Sequence, residues 1–162
     1  MGSIYKVESA IATLIERIDG EEDYNFDWGS SNIIDESKID KYPNVMTKLY
    51  DVSSLDDTSG FNGEYALIIT EEITIRNKLN SEEVQPVVAI RKEQSDALDD
   101  LLMLFGNNYS LCVNDTPNCS FINFDSIVER KVHDSGDIFR ASDLVTRWNI
   151  RVNIDRLNLT LQ

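Results

Sequence analysis

The chain contains 162 residues, 41% of them apolar, and its 29 acidic and 15 basic side chains give a formal net charge of −14. This length is typical of one domain with a sizeable hydrophobic core, so residues 1–162 are expected to form a single domain. The acidity argues against a nucleic-acid-binding module, because such modules hold phosphate with Lys and Arg. No apolar run is long enough for a membrane helix and no secretory signal is recognisable, which predicts an intracellular chain.

The N-terminal region is predicted to form a helix followed by a short strand. Apolar residues at three- and four-residue spacings predict an amphipathic helix over residues 4–19, which Gly20 would end. Strict alternation of aromatic and polar side chains over Tyr24–Trp28 predicts a half-buried strand. Residues 29–40 are expected to form a loop or a loop with one helical turn.

The middle of the chain predicts a pair of strands. Tyr42-Pro43 favours an extended entry into a strand over residues 45–50, and residues 51–63 are predicted to be an exposed hairpin loop. The return strand, Glu64–Arg76, is long for a domain of this size. Because two adjacent glutamates, Glu71 and Glu72, interrupt its apolar pattern, we expect its far half to bend or to project beyond the core. Residues 77–85 are expected to be a second exposed loop.

The remainder predicts one helix and a β-ribbon. Residues 87–105 have helical periodicity, although Ser95 could cap a shorter helix and leave residues 87–90 extended. After a short strand within 109–113, strands are predicted over 121–133 and 144–155, joined by a turn, and residues 157–162 form a C-terminal tail. The order α-β-β-β-α-β-β predicts an α+β domain, in which two amphipathic helices cover a mostly antiparallel sheet that carries a long projecting β-ribbon.

No enzymatic or metal site is recognisable in the sequence. Cys112 and Cys119 are expected to be free thiols, although their spacing permits a disulfide, and with the lone His133 they cannot complete a four-ligand zinc site. No nucleophile elbow and no phosphate-binding glycine loop is present. The carboxylates near residues 51–64 (Asp51, Asp56, Asp57 and Glu64) do not match an EF-hand, which favours a solvated loop over a cation site. We therefore predict no catalytic residue, cofactor or metal.

The last strand offers the clearest candidate for an interaction surface. Polar side chains alternate there with apolar ones, and the polar set is Arg147, Asn149, Arg151 and Asn153. Of the acidic residues, 22 lie in residues 1–100, so these arginines can pair with carboxylates of another copy. Head-to-tail contact of this kind closes into a ring if the rotation between neighbouring copies brings the last copy back to the first. An ordinary solvent-exposed sheet face is the alternative interpretation.

The order of elements resembles that of the tail terminator and tail-completion proteins of tailed bacteriophages. The resemblance is a pattern of elements over nearly the whole chain, and it does not rest on identities. Its parts are the N-terminal helix, Tyr42-Pro43-Asn44-Val45, Glu64–Arg76, the helix with Ala97-Leu98-Asp99-Asp100-Leu101-Leu102, and a closing ribbon from Ile127-Val128-Glu129-Arg130 through Asp134-Ser135-Gly136-Asp137 to Trp148–Ile154. The chain departs from the usual pattern in residues 29–40 and 157–162.

The resemblance implies a structural virion protein without catalytic residues. Such a subunit forms a ring, expected to be a hexamer, at the head–tail junction or tail end. It contacts neighbouring tail or connector proteins, and DNA passes through it without specific binding. An acidic lumen would repel phosphate, and the candidates for its lining are Glu71, Glu72, Glu82 and Glu83. The alternatives are a monomeric protein-binding adaptor and, less favoured, a small carboxylate-dependent hydrolase.

Overall fold

The computed structural model describes most of the chain as two helices and a five-stranded sheet, with a separate two-stranded pair. The described residues are 3–18, 23–25, 28–31, 39, 41–55, 64–78, 86–108, 112–113, 116–117, 119–134 and 140–155. The elements are α1 (Ser3–Glu16), β1 (Gly29–Ser31), β2 (Asn44–Ser54), β3 (Glu64–Lys78), α2 (Pro86–Asn107), β4 (Cys112–Val113), β5 (Thr116–Pro117), β6 (Cys119–Asp134) and β7 (Arg140–Asp155).

The main sheet has the strand order β1-β2-β3-β7-β6. β1 pairs with β2 in parallel, and all other neighbours are antiparallel, so the sheet is mixed but mostly antiparallel. This arrangement confirms the predicted α+β class and the order α-β-β-β-α-β-β. The small β4–β5 pair forms a separate sheet.

Both helices pack on the same face of the sheet, because one set of alternating positions in each central strand is apolar. In β3 this set includes Ile69, Ile73 and Ile75, which are fully buried in one cluster with residues of α1 and α2. Two contacts fix α2 on this face: the Gln94 side chain donates from Nε2 to the Ser142 carbonyl (3.1 Å), and Asn77 donates from Nδ2 to Glu93 (2.7 Å). We call this the helix face and the opposite side the open face.

The first strand differs from the prediction. Tyr24 and Asn25 lie in a bend, and the strand forms at Gly29–Ser31, within the stretch predicted to be a loop. Trp28 is buried because it packs in the hydrophobic core with apolar side chains of α1, and its indole Nε1 donates to the Ile15 carbonyl at 3.3 Å, so tertiary packing and not strand pairing explains its burial. At Gly29 a Cβ atom would lie 2.9 Å from the Lys41 carbonyl oxygen, which is why this position requires glycine.

The central strand β3 also differs from the prediction, because its far half does not project. β3 pairs with β7 along its whole length, from Glu64↔Asp155 to Lys78↔Ala141, and with β2 over Leu67–Arg76. The two glutamates do not interrupt it, since each side chain is accommodated on a different face of the sheet. β2 continues to Ser54 and β3 to Lys78, so both strands extend into stretches predicted as loops; residues 56–63 and 79–85 lie outside the described residues.

The long β-ribbon of this fold is formed by β6 and β7, each of 16 residues. β7 lies inside the sheet, whereas β6 is its last strand, and register shifts within β6 mark bulges after Cys119, Phe124 and Ile127. Of the helices, neither α1 nor α2 is long and apolar enough to cross a membrane.

Candidate functional site

The open face is the candidate functional site, because charged side chains from four strands converge there. Strand alternation places one polar set of β2, β3, β7 and β6 on this face, and no described helix covers it. A cavity of about 240 Å³ opens on this face. Its charged lining residues are Lys48, Glu72, Arg76, Glu129, Lys131 and Asp143. We call this cavity the groove.

A buried ion pair lies in the groove. Arg76 on β3 and Asp143 on β7 are directly opposite in register, and the guanidinium donates to both carboxylate oxygens, from Nε at 2.7 Å and from Nη2 at 2.9 Å. Arg76 is 3% exposed and Asp143 5%. The bidentate geometry pairs the two charges, and removing one partner would take from the other the ion pair that compensates its burial.

A second charged cluster lies at the β2 side of the groove. The Glu72 carboxylate is 3.1 Å from Lys48 Nζ and 3.5 Å from Arg147 Nε. The Arg147 guanidinium also stacks on the Tyr50 ring, with its central carbon 3.7 Å from the ring centroid, a cation–π geometry that holds it in place. The Glu72 carboxylate is therefore paired with two cations, Lys48 and Arg147, so these three side chains together carry a net positive charge.

The predicted interface residues share the open face of β7 but differ in their surroundings. Arg147 belongs to the cluster with Glu72 and Tyr50. Asn149 accepts a hydrogen bond from Thr70 Oγ1 at 3.0 Å and donates from Nδ2 to Asp125 at 3.3 Å. Arg151 is exposed. Asn153 is half-buried, and its buried Oδ1 has no hydrogen-bond partner among the described residues.

The predicted acidic lumen residues do not form one surface. Glu71 lies on the helix face and is 1% exposed, so it cannot line a lumen in this fold, and its assignment to a DNA-facing surface is wrong. Glu72 lies on the open face with its charge engaged by Lys48 and Arg147. Glu82 and Glu83 lie outside the described residues.

Glu71 is the most perturbed titratable group described. Neither of its carboxylate oxygens has a hydrogen-bond partner among the described residues. Burial raises the pKa of Glu71 from 4.5 to about 8, and the charge of Glu8 on α1 adds to this shift. Its register neighbours are Leu49 on β2 and Trp148 on β7, which offer no countercharge. Glu71 is therefore held protonated at neutral pH between α1 and the sheet.

The remaining candidate residues give no described metal or thiol site. Cys112 lies on β4 and Cys119 begins β6, but their side chains, like that of His133, lie outside the described set. Asp51 is exposed on β2, whereas Asp56 and Asp57 and the side chain of Glu64 are not described. Within the described part of the chain, no three metal-ligating side chains cluster.

Sequence reasoning missed five of the six charged residues that line the groove: Lys48, Arg76, Glu129, Lys131 and Asp143. Alternation within Glu64–Arg76 separates Arg76 from the apolar side that carries Ile73 and Ile75, but its partner lies 67 positions away on β7. Only the register between strands brings them together. No protein-family model matches this sequence, and no curated protein is significantly similar to it.

Proposed function

We propose that the protein is a non-enzymatic structural subunit of a tailed bacteriophage virion, which self-associates into a ring at the head–tail junction or the tail end. The proposal combines the resemblance in element order with a surface suited to self-association. The ring would be a hexamer assembled in the host cytoplasm, contacting neighbouring tail or connector proteins, with DNA passing through it without specific binding.

The observation that carries this proposal is the outer edge of β6. β6 is the last strand of the sheet and no described strand pairs with its outer side, which leaves backbone donors and acceptors available. It also exposes four large apolar side chains, Phe124, Ile127, Val128 and Val132. A long strand edge with exposed apolar side chains is suited to pairing with another chain.

The opposite edge of the sheet offers a complementary partner for β6. β1 pairs only with Asn44–Met46, so the outer side of β2 from Thr47 to Ser54 has no strand partner among the described residues. Contact between the β6 edge of one copy and the β2 edge of the next would be head-to-tail. Such a contact repeats from copy to copy. It generates a closed ring when the rotation that relates successive copies divides a full turn into a whole number of steps.

The acidity of the chain supports a role in which the protein lies beside DNA without binding it. A net charge of −14 repels phosphate over several ångströms at physiological salt. The buried Glu71 and the ion-paired Glu72 do not contribute to this proposal. Glu82 and Glu83 stay candidates for the lumen.

Static light scattering with negative-stain imaging tests the proposal through a matched pair of variants. Val132 on β6 and Val88 on α2 are equally exposed, at 63% and 62%. Val132→Lys places a charge in the proposed contact and should weaken association about tenfold or more, since burying a valine contributes about 1.5–3 kcal/mol. Val88→Lys should leave the mass unchanged.

Three results would contradict the proposal. A wild-type chain that stays monomeric at all concentrations would favour the adaptor. Equal loss of association in both valine variants would show that the β6 edge is not the contact. Large species without a closed outline would argue against a ring.

A further inference from the structure

The large apolar side chains that the described surface exposes are concentrated at two sides of the main sheet. Of ten such side chains, four lie on β6 and two on β2, and Tyr5 lies on α1 beside β2. Exposed apolar patches rimmed by polar residues mark sites of contact with another molecule. The apolar surface that a partner could cover therefore lies mainly along β6 and along the outer side of β2.

Phe124 is an aromatic ring on the helix face of β6. It lies opposite Trp148 in register, and the two rings meet edge to face with their centroids 5.2 Å apart. This contact orients one side of the Phe124 ring against the core, while 39% of the side chain remains exposed. β6 thus presents a ring that is packed on one side and uncovered on the other.

A cavity of about 210 Å³ lies on the other side of the sheet, between α1 and β2. Its lining comes from the start of α1 and the facing stretch of β2, namely Tyr5, Glu8, Ser9, Thr47, Lys48 and Leu49. Tyr5 and Leu49 are exposed and supply its apolar part. Because a cavity of roughly 150 Å³ is enough to hold a benzene ring, this one has room for the side chain of a phenylalanine.

The register of the sheet puts this cavity and Phe124 at the same level. Leu49 lies opposite Glu71, which lies opposite Trp148. Trp148 in turn lies opposite Phe124. A single row of side chains on the helix face therefore begins at the cavity and ends at Phe124.

The same correspondence extends along the whole unpaired part of β2. Counted through β3 and β7, Thr47 is level with Ile127, and Ser54 is level with Cys119. β2 and β6 run in opposite directions, so the two strands can pair as antiparallel neighbours with their helix faces on the same side. Successive copies in a closed ring are related by a rotation without a rise along the ring axis. With the strands along this axis, the row that ends at Phe124 in one copy continues at Leu49 in the next.

We infer that the cavity between α1 and β2 is the socket for the Phe124 side chain of a second copy of this chain. The uncovered side of the ring packs there on Tyr5 and Leu49, and the backbones of β6 and β2 supply hydrogen bonds between the copies. The inference rests on the proposed self-association. It deepens that proposal by naming the side chain and the cavity that make the contact.

Sedimentation velocity on two variants and on their mixture tests the inference. Phe124→Ala removes the ring, and Ser9→Trp fills the cavity from an exposed position of α1. Each substitution should weaken association about tenfold or more. Ser95→Trp is the matched control, because Ser95 is exposed on α2 and does not line the cavity, and this variant should associate like the wild type.

The mixture of the two variants gives the decisive result. The Phe124→Ala copy keeps an open socket and the Ser9→Trp copy keeps its phenylalanine, so one native contact can form between them. At a concentration where each variant alone is monomeric, an equimolar mixture should therefore form dimers and no larger species. A mixture that stays monomeric would show that the ring and the cavity do not meet, which overturns the inference.

The outcomes separate this inference from the proposed function. If Val132→Lys dissociates the oligomer while Phe124→Ala and Ser9→Trp associate like the wild type, the inference is wrong and the proposed self-association stands. Equal loss of association in Ser95→Trp and Ser9→Trp would assign the effect to an added surface tryptophan, which also overturns it. A monomeric wild type overturns both proposals. Should Phe124→Ala fail to fold, the comparison of Ser9→Trp with Ser95→Trp still decides.

Discussion

Glu71→Gln should stabilise the protein by an amount that grows with pH. The carboxyl of Glu71 is buried beside Glu8 without a hydrogen-bond partner among the described residues, and its pKa is about 8 in the folded chain against an ordinary value of 4.5. Below pH 4.5 the group is protonated in both states, and its contribution to stability is fully present. As the pH rises toward 8, the unfolded chain releases a proton that the folded chain retains, so this stability is lost.

The size of the effect follows from linkage. Each pH unit between the two pKa values lowers the free energy of unfolding by about 1.4 kcal/mol, and the full loss is about 5 kcal/mol. Glutamine has nearly the same shape and does not ionise, so the variant lacks this slope. Between about pH 5 and pH 7.5, the advantage of Glu71→Gln over the wild type should increase by about 3 kcal/mol.

Urea denaturation of both proteins across this pH range measures the difference directly. Glu72→Gln is the matched control, because Glu72 is adjacent in sequence but faces the opposite side in ion pairs with Lys48 and Arg147. It should give no advantage that grows with pH. Parallel stability curves for the wild type and Glu71→Gln would refute the reasoning, since they would mean that Glu71 is ionised and solvated in the folded protein.

Three further substitutions test the packing around the site. Arg76→Ala removes the bidentate partner of the buried Asp143 carboxylate and should lower the free energy of unfolding by about 3–5 kcal/mol, measured by urea denaturation, whereas replacing both residues by leucine should cost much less. Gly29→Ala brings a Cβ to 2.9 Å from the Lys41 carbonyl oxygen and should lower the melting temperature by calorimetry; an unchanged value would show that the β1–β2 pairing yields easily. Trp148→Ala removes a ring that packs edge-to-face on the Phe105 ring, with the two ring centroids 4.9 Å apart, and should lower the free energy of unfolding by about 3–5 kcal/mol. A loss below about 1 kcal/mol would contradict its central place in the core.

Strand periodicity accounts for most of what the sequence predicted correctly. In β7 the alternation of apolar and polar side chains identifies both faces of the strand, and the structure has the same two sets. The same rule puts Glu71 in phase with Ile69 and Ile73, which is a signal that it faces the helices. A glutamate in a strand is normally exposed, so residue type and phase point in opposite directions at this position.

The features that the sequence did not predict depend on contacts between residues that are far apart in the chain. Trp28 resembles the end of an alternating strand, but it is buried by packing against α1, where its indole nitrogen also donates a hydrogen bond. The central position of β3 follows from strand order, and local pattern does not determine it. The groove forms only because Arg76 and Asp143 lie opposite each other in neighbouring strands. Alternation along a strand determines which face a side chain takes, but it does not determine which residue lies opposite it on the next strand.

One side chain gives the ribbon a mechanical property. Gln94 of α2 donates to the Ser142 carbonyl of β7, and its Oε1 accepts a hydrogen bond from Arg130 of β6 at 3.1 Å. The helix is thereby fastened to both strands of the ribbon at one point. A force that pulls on the free edge of β6 is transmitted through this point to α2 and the core, so the edge strand resists peeling away from its neighbour under load.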